Sequence, residues 1–421
     1  MRYVIIGNSA AAVHAVEGIR RLDGDGEIIV FSRESYLAYS RPLITEFLFD
    51  GIPERKMAYR DASFYRRNKV DLRLSTEVVK IDRGKKKVVD GQGRATEYDR
   101  LLLCAGGEPF VPPVKGGEKE GIFTMMDWDS AREVKKLLRN TSHAVVLGGG
   151  LIGMKTAEGI FESGVKTTVV ELAPQILGRI LDREGASIFV DHLDESGLNI
   201  ITGDTVVEVS GEGKISSVLL RSGGALECDM LIMAIGVTAN ISLADESGIE
   251  TNRGVVVNDR METSDSQIFA AGDIAEAKDT VVGEKRVNAI WPVANYQGRI
   301  AGINMAGGDR VFDGSFPKNS LKLLGLETIS MGMVDPPDDT FEVQSKLVKD
   351  KKYYRKFIHK EGTLYGGIFI GEVEKAGIVT GMVRDRVKVN GDLSHLLEGQ
   401  PSMIMVDKRY RDEKLTRPVT R

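Results

Sequence analysis

A strand-like run that closes on glycine and opens into a helix occurs twice in this chain, and few folds accommodate that arrangement. Residues 3–7 read YVIIG and residues 144–148 read AVVLG, and Glu17-Gly18-Ile19 recurs as Glu158-Gly159-Ile160 at the same offset of 141 residues. Each copy continues through a helical stretch, to Arg21 in the first and about Ser163 in the second, into a further apolar run, Glu27 to Phe31 and Lys166 to Val170. Two strands that run the same way need a long connection, so strand, tight turn, helix and strand in that order make a parallel crossover unit. The chain is expected to be α/β, built on two Rossmann-like dinucleotide-binding domains.

In such a unit the first glycine makes the strand-to-helix turn and the second lets backbone approach a pyrophosphate. The third lets the helix pack closely, while helix N–H groups face the negative charge. Gly148-Gly149-Gly150-Leu151-Ile152-Gly153 satisfies this pattern in full. The first copy reads Gly7-Asn8-Ser9-Ala10-Ala11-Ala12, with Ser9 and Ala12 at the second and third glycine positions, and taken alone it is a weaker signal. Glu171 ends the strand after the second turn, where a carboxylate can accept hydrogen bonds from the adenosine ribose and repel a 2′-phosphate. That favours NADH over NADPH. The plain alternative is a solvated strand-end carboxylate, and Arg179 nearby is a cation that a phosphate could use. Glu34, one residue beyond Arg33, is the corresponding acid of the first copy.

A length of 421 residues is enough for two to four domains, and 47 glycines concentrated between Val/Ile/Leu runs suit alternating strands and helices. A net charge of −4 gives no global field for nucleic acid or anionic membrane. The N-terminus runs straight into a strand-like segment, and no apolar run approaches the roughly 18 residues of a membrane span, so a soluble, cytoplasmic protein is expected. Cys104 and Cys228 are too few and too far apart for a redox pair or a metal ligand set, so they are expected to be packing thiols and no metal site is expected. Apolar runs closing on glycine follow at Leu101–Ala105, Met230–Ile235 and Ile268–Ala271. Beyond Gly307-Gly308 the pattern changes to strands and turns, a cationic stretch from Lys346 to Lys360, and a charged tail after Val406.

The order of the Gly7 turn, Tyr39-Ser40-Arg41-Pro42, Cys104-Ala105-Gly106, the Gly148 turn, Ala234-Ile235-Gly236 and Ala270-Ala271-Gly272-Asp273 resembles the FAD- and NAD-dependent pyridine nucleotide-disulfide oxidoreductase superfamily. Trp291, Gln297-Gly298 and Asn304-Met305-Ala306-Gly307 extend the likeness to about residue 308, roughly three quarters of the chain. Within the superfamily it is similar to the branch of NADH:rubredoxin reductases and the flavin portion of nitrite reductases. The resemblance implies a discontinuous FAD-binding domain over 1–110 and 238–309, an NAD-binding domain over 111–237, and a C-terminal α+β domain over 310–421 for an interface or dimerisation. It implies FAD at Gly7, Ser9, Ala10, Ala12, Glu34, Arg41, Pro42, Val78, Ala105, Gly106, Gly272, Asp273 and Trp291. Arg41 would neutralise the phosphates, Val78 would meet adenine through backbone, and Asp273 would hold the ribityl or pyrophosphate region. NADH would lie on Gly148, Gly150, Leu151, Ile152, Gly153 and Glu171, with Gly236 beside the nicotinamide path. The bland readings are a surface cation at Arg41 and a helix cap at Asp273.

Two departures bear on the chemistry. The segment Ser40-Arg41-Pro42-Leu43-Ile44, where disulfide reductases and water-forming oxidases of the superfamily need a cysteine, has none, which removes a thiolate or sulfenic acid mechanism. At Lys155 relatives commonly carry a glutamate that pairs with a lysine beside the flavin, and here Glu46 falls within a residue of that lysine's position. A charge-reversed pair of Lys155 and Glu46 in one cleft, positioning the nicotinamide, is expected; the alternative is two surface residues. Without a cysteine relay or internal metal, electrons must leave to an external acceptor, by resemblance a rubredoxin or ferredoxin-like carrier. Residues 310–421 hold 20 Lys and Arg against 16 Asp and Glu, so Lys346, Lys349, Lys351, Lys352, Arg355, Lys356 and Lys360 could form a docking face, or simply a solvated one. A homodimer through this domain, a peroxide-forming NADH oxidase and a non-catalytic FAD/NADH-binding redox sensor remain open. The Glu171 reading predicts that kcat/KM with NADH exceeds that with NADPH; steady-state kinetics showing NADPH equal or better would overturn it.

Overall fold

The computed structural model describes residues 1–49, 52–389, 393–398 and 412, and the charged tail after Val406 lies outside them apart from Asp412. The chain divides into two compact units. The first comprises Met1–Phe110, Met126–Ala131 and Val237–Ser315, and the second Val111–Met125, Arg132–Gly236 and Phe316–Arg421.

In the first unit the strand Arg2–Ile6 lies between Arg100–Leu103 and Glu27–Phe31, with Ile268–Ala270 and Val70–Arg73 at the edges of a five-stranded parallel sheet. Val4, Ile5, Ile28, Ile29, Leu101 and Leu102 are all buried, which explains why these strands read as continuous apolar runs rather than alternating ones. The helix Ala10–Arg20 follows the first turn, and the helix Trp291–Met305 packs along it. Small residues make that packing possible. A Cβ on Gly298 or Gly302 would overlap the backbone carbonyl of Ala11 or Ala15, and one on Gly18 would reach the Ile303 nitrogen at 3.0 Å. Two helices approach this closely only where side chains are absent from both surfaces.

The second unit repeats the plan. Its parallel sheet runs Asn199–Thr202, Lys166–Glu171, His143–Leu147, Met230–Met233, Ile122–Phe123, and the helix Leu151–Glu162 follows the central strand. The same unit contains a five-stranded antiparallel sheet in the order Lys318–Leu323, Leu326–Gly332, Thr363–Ile370, Tyr353–Lys360, Glu342–Val348, with the helix Ala376–Arg384 packed on it. The sheet-and-helix arrangement is α+β.

The stretch from Lys346 to Lys360 does not form one exposed cationic face. Period-two alternation along a strand sends neighbouring side chains to opposite faces, and Arg355 and Lys356 are both buried. Arg355 donates to the Tyr354, Ile370 and Glu372 carbonyls, while Lys346 pairs with Glu398 and Lys352 with Glu195.

The helix contact can be tested directly. Alanine in a helix is worth about 1 kcal/mol over glycine, yet overpacking costs roughly 1–3 kcal/mol. Because a Cβ on Gly302 would overlap the Ala15 carbonyl oxygen, the upper end of that cost applies, and Gly302→Ala is expected to be net destabilising by up to about 2 kcal/mol, read as a lower Tm in thermal unfolding followed by circular dichroism.

Candidate active site

The two glycine turns are superposable in their chemistry. Gly7 and Gly148 have φ of 114° and 117°, their N–H groups donate to Phe31 and Val170 carbonyls at 2.9 and 2.8 Å, and a Cβ on either would overlap the carbonyl of Cys104 or Ala234. No residue but glycine fits there, because both the backbone angle and the neighbouring strand exclude a side chain. Ser9 and Gly150 are the N-cap residues of the two helices, and neither helix start is capped by its own side chain. The first-turn N–H groups of Ala10, Ala11 and Ala12, and of Leu151, Ile152 and Gly153, are thus left for an anion, which the helix dipole also favours. Gly150 has open space where a Cβ would stand, whereas a Cβ on Gly153 would overlap the Gly148 carbonyl. These features fit a pyrophosphate at each turn.

Around the first turn the structure brings Glu34, Arg41 and Asp273 into one electrostatic group. The Arg41 guanidinium pairs with Glu34 and donates to the Met126 carbonyl at 2.7 Å, lying 5.0 Å from the centre of the Tyr39 ring. Burial pushes the Asp273 carboxyl above its usual range, and Arg41 works against that rise. A raised carboxyl pKa lowers the cost of standing near an anion, and the guanidinium offers the fork that phosphate oxygens accept. Gly272 donates its N–H to Gln297 Oε1 at 2.8 Å, which ties the Asp273 turn to the Trp291–Met305 helix. Trp291 begins that helix with its ring 5.0 Å from Tyr59.

Pro42 lies in the one-turn 3₁₀ helix Arg41–Leu43, and Val78 is buried at the start of the strand Val78–Asp82. Ala105 is exposed after the Arg100–Leu103 strand, and the Gly106 carbonyl accepts the Asn240 N–H at 3.0 Å. Gly236 follows the Met230–Met233 strand in left-handed backbone, φ 140°.

Around the second turn, Glu171 faces inward. Its carboxylate accepts the Gly149 N–H at 2.5 Å and the Ala173 N–H at 2.7 Å, so it holds its own turn together while keeping lone pairs that a ribose hydroxyl can use.

Lys155 and Glu46 fall in different units. Lys155 pairs with Glu158 at 2.5 Å and reaches the Lys322 carbonyl at 3.4 Å, and Glu158 accepts the Leu324 N–H at 2.6 Å. Glu46 lies in the first turn of the helix Ile44–Phe49 and accepts from Thr45 Oγ1 at 3.0 Å. The repeated glutamates therefore have distinct tasks, since Glu17 pairs with Arg60 and His14. Both cysteines are free and buried; burial raises the Cys104 thiol far above its usual range and pushes Cys228 up to about 12. Neither is a reactive thiolate at neutral pH. Among the described residues there is no cluster of three or more His, Cys, Asp or Glu placed to hold a metal ion, and no helix long and apolar enough to cross a membrane.

Sequence reasoning missed the aromatic group beside Arg41. Trp128 stacks on Tyr36 at 5.5 Å and meets Tyr39 edge-on at 5.1 Å, and Tyr36 OH donates to Asp129. The segment Met126–Ala131 belongs to the first unit although its neighbours on both sides belong to the second. Only the scarcity of tryptophan, two in the whole chain, hinted at Trp128.

Comparison with known proteins agrees with this geometry. The family model described as pyridine nucleotide-disulphide oxidoreductase matches residues 1–298, and the one described as rubredoxin NAD+ reductase C-terminal domain matches residues 317–387. The chain is 32% identical to the NADH-dependent phenylglyoxylate dehydrogenase subunit epsilon of Aromatoleum evansii over 91% of its length and 92% of that protein's. It is 33% identical to an NADH oxidase of Methanocaldococcus jannaschii over 74% of its length and 71% of that protein's. The solved NADH:rubredoxin oxidoreductase of Clostridium acetobutylicum is 25% identical with a TM-score of 0.78, covering 94% of this chain and 99% of that one. With two dinucleotide turns and family matches along nearly the whole chain, the protein belongs to the pyridine nucleotide-disulphide oxidoreductase family, as an NAD(P)H-dependent flavin oxidoreductase whose cofactors are FAD and NADH.

Proposed function

We propose that this protein carries electrons from NADH, through FAD, to a separate iron–sulfur or iron–thiolate carrier of the rubredoxin or ferredoxin type. One observation carries the reading: no cysteine stands in the Ser40–Ile44 segment, and Cys104 and Cys228 are buried thiols with raised pKa. Disulfide chemistry within the chain has no nucleophile. FAD, when bound, accepts a hydride and releases electrons singly or in pairs. The chain's own residues bind and orient. The Gly7 turn, Arg41 and Asp273 hold the flavin's phosphates and ribityl chain, with Glu34 and the Val78 backbone toward its adenosine end, while the Gly148 turn and Glu171 hold NADH. The rubredoxin reductase C-terminal match and the likeness to a solved NADH:rubredoxin oxidoreductase support the carrier. We further place the protein in the cytoplasm as a homodimer.

Anaerobic mixing of the FAD-loaded protein with NADH, followed by rubredoxin, ferredoxin or oxygen in separate runs, tests the acceptor. Carrier reduction is expected to outpace oxygen consumption. Oxygen turned over to peroxide at least as fast as any carrier is reduced would make it an NADH oxidase, and negligible turnover with every acceptor would make it a redox sensor. A second reading is favoured by the relative that matches over nine-tenths of both chains, which is named as a subunit of a dehydrogenase. Under that reading the carrier is a fixed partner, and native purification recovers it in a stoichiometric complex.

Lys155, paired with Glu158 on the helix that opens at the Gly148 turn, and Glu46, in the first turn of Ile44–Phe49, are each proposed to help position the nicotinamide. Lys155→Met and Glu46→Gln are each expected to slow stopped-flow flavin reduction about tenfold, a little over 1 kcal/mol of orientation; a wild-type rate in both variants ends the idea.

A further inference from the structure

Three of the contacts that hold the loop between the Lys166–Glu171 strand and the Arg183–Ser196 helix join it to the Gly148 turn or to the antiparallel sheet. At its start, the Glu171 carboxylate takes the Gly149 N–H. In its middle, the Leu177 N–H donates to the Gly149 carbonyl at 2.8 Å, so both polar groups of Gly149 are fixed by this loop. Leu177 does so from left-handed backbone, φ 55°, which leucine avoids. Such strain persists only where the surroundings over-determine it, and Ile176, Leu177, Ile180 and Leu181 are all buried.

The third point lies at the loop's end. One Asp182 oxygen caps the following helix by accepting the Gly185 N–H at 3.0 Å. The other accepts from the Tyr354 hydroxyl at 2.7 Å and from Lys356 Nζ at 2.8 Å. Tyr354 and Lys356 sit two apart on the strand Tyr353–Lys360, and so share one face of the antiparallel sheet. Lys356 and Asp182 are 5% and 8% exposed, and Asp335 is a second partner of the lysine at 3.2 Å. A helix cap needs no buried lysine. A desolvated charge pair adds little stability over an apolar contact but fixes geometry.

We propose that Tyr354 and Lys356 are positioning residues for NADH: by holding Asp182 they set the loop over residues 172–181, and through it aim the Gly149 peptide and the Glu171 carboxylate at the adenosine half of the dinucleotide. The C-terminal sheet thereby tunes the affinity of a site built on the other sheet of its unit. This rests on the assignment of the Gly148 turn to NADH.

The test uses the full-length, FAD-loaded protein and ADP-ribose, which carries the adenosine half without the reducing nicotinamide. Calorimetric titration of Lys356→Met is expected to show binding weakened about five- to tenfold, and Tyr354→Phe about two- to threefold, within the range of energetic coupling between neighbouring sites. In steady state the KM for NADH rises by the same factors while kcat at saturation and FAD content hold, a split that general destabilisation does not produce. Wild-type affinity in both variants, or a loss of FAD in step with the loss of ADP-ribose binding, overturns the proposal. If Lys356→Met does not fold, Tyr354→Phe decides, since it removes a single hydroxyl. Gly150→Asp separates the two assignments. If it binds ADP-ribose as the wild type does, the Gly148 turn is not the NADH site. If it abolishes binding while both sheet variants bind normally, only the present proposal fails.

Discussion

Much of the first unit depends on how closely two helices can lie. Gly298 and Gly302 face Ala11 and Ala15 across the contact, with Gly18 facing back toward Ile303, and there is no room on either side for one added carbon. The helix that follows the Gly7 turn is thereby locked against a helix nearly 300 residues later in sequence. That later helix carries Gln297, which holds the Gly272 N–H, so the spacing of the helices also sets where Asp273 stands relative to the first turn. Charged groups assembled from such distant segments tolerate little slack, because misplacement by an ångström at a charged group is costly in binding and in rate.

Buried charge is placed differently in the second unit. Lys155 and Glu158 form a tight pair on the helix that opens at the Gly148 turn, and Glu158 also takes the Leu324 N–H of the antiparallel sheet. His192 reaches the Leu324 carbonyl at 3.0 Å, and Asp182 is gripped by Tyr354 and Lys356. Each of these contacts joins the dinucleotide-binding part to the sheet by polar groups with defined directions. Apolar packing alone would permit sliding, whereas hydrogen-bonded ion pairs fix register. Of the seven cations counted as a docking surface from sequence, Lys352 and Lys356 are engaged in such contacts and Arg355 is buried. A lysine on a strand answers to whichever face the pleat assigns it, and Lys356 faces the core.

The glycine turns were readable because their cause is local. A residue with positive φ beside a neighbouring strand must be glycine, and the apolar runs before it and the helical stretch after it follow within about twenty residues. Element bounds agree to within a few residues for the same reason: the helix expected to Arg21 ends at Arg20, and the strand expected over Glu27 to Phe31 is found there. The pairing of Arg41 with Glu34, two residues expected to serve the same cofactor in separate roles, was not readable. Nor was the group of Tyr36, Tyr39 and Trp128 beside them, since Trp128 comes from a segment that the sequence order assigns to the other domain.

By itself the sequence determined that this chain folds as two parallel-sheet dinucleotide units and carries no cysteine in the Ser40–Ile44 segment, since periodicity, glycine stereochemistry and the absence of a residue type are properties of short stretches. Only the tertiary structure decided which charges meet. Partners such as Asp182 and Lys356 lie 174 residues apart, and nothing local selects Lys356 over its neighbours for that task. Their pairing comes from strand register and from the desolvation that excludes water from the contact, and both exist only once the chain has folded.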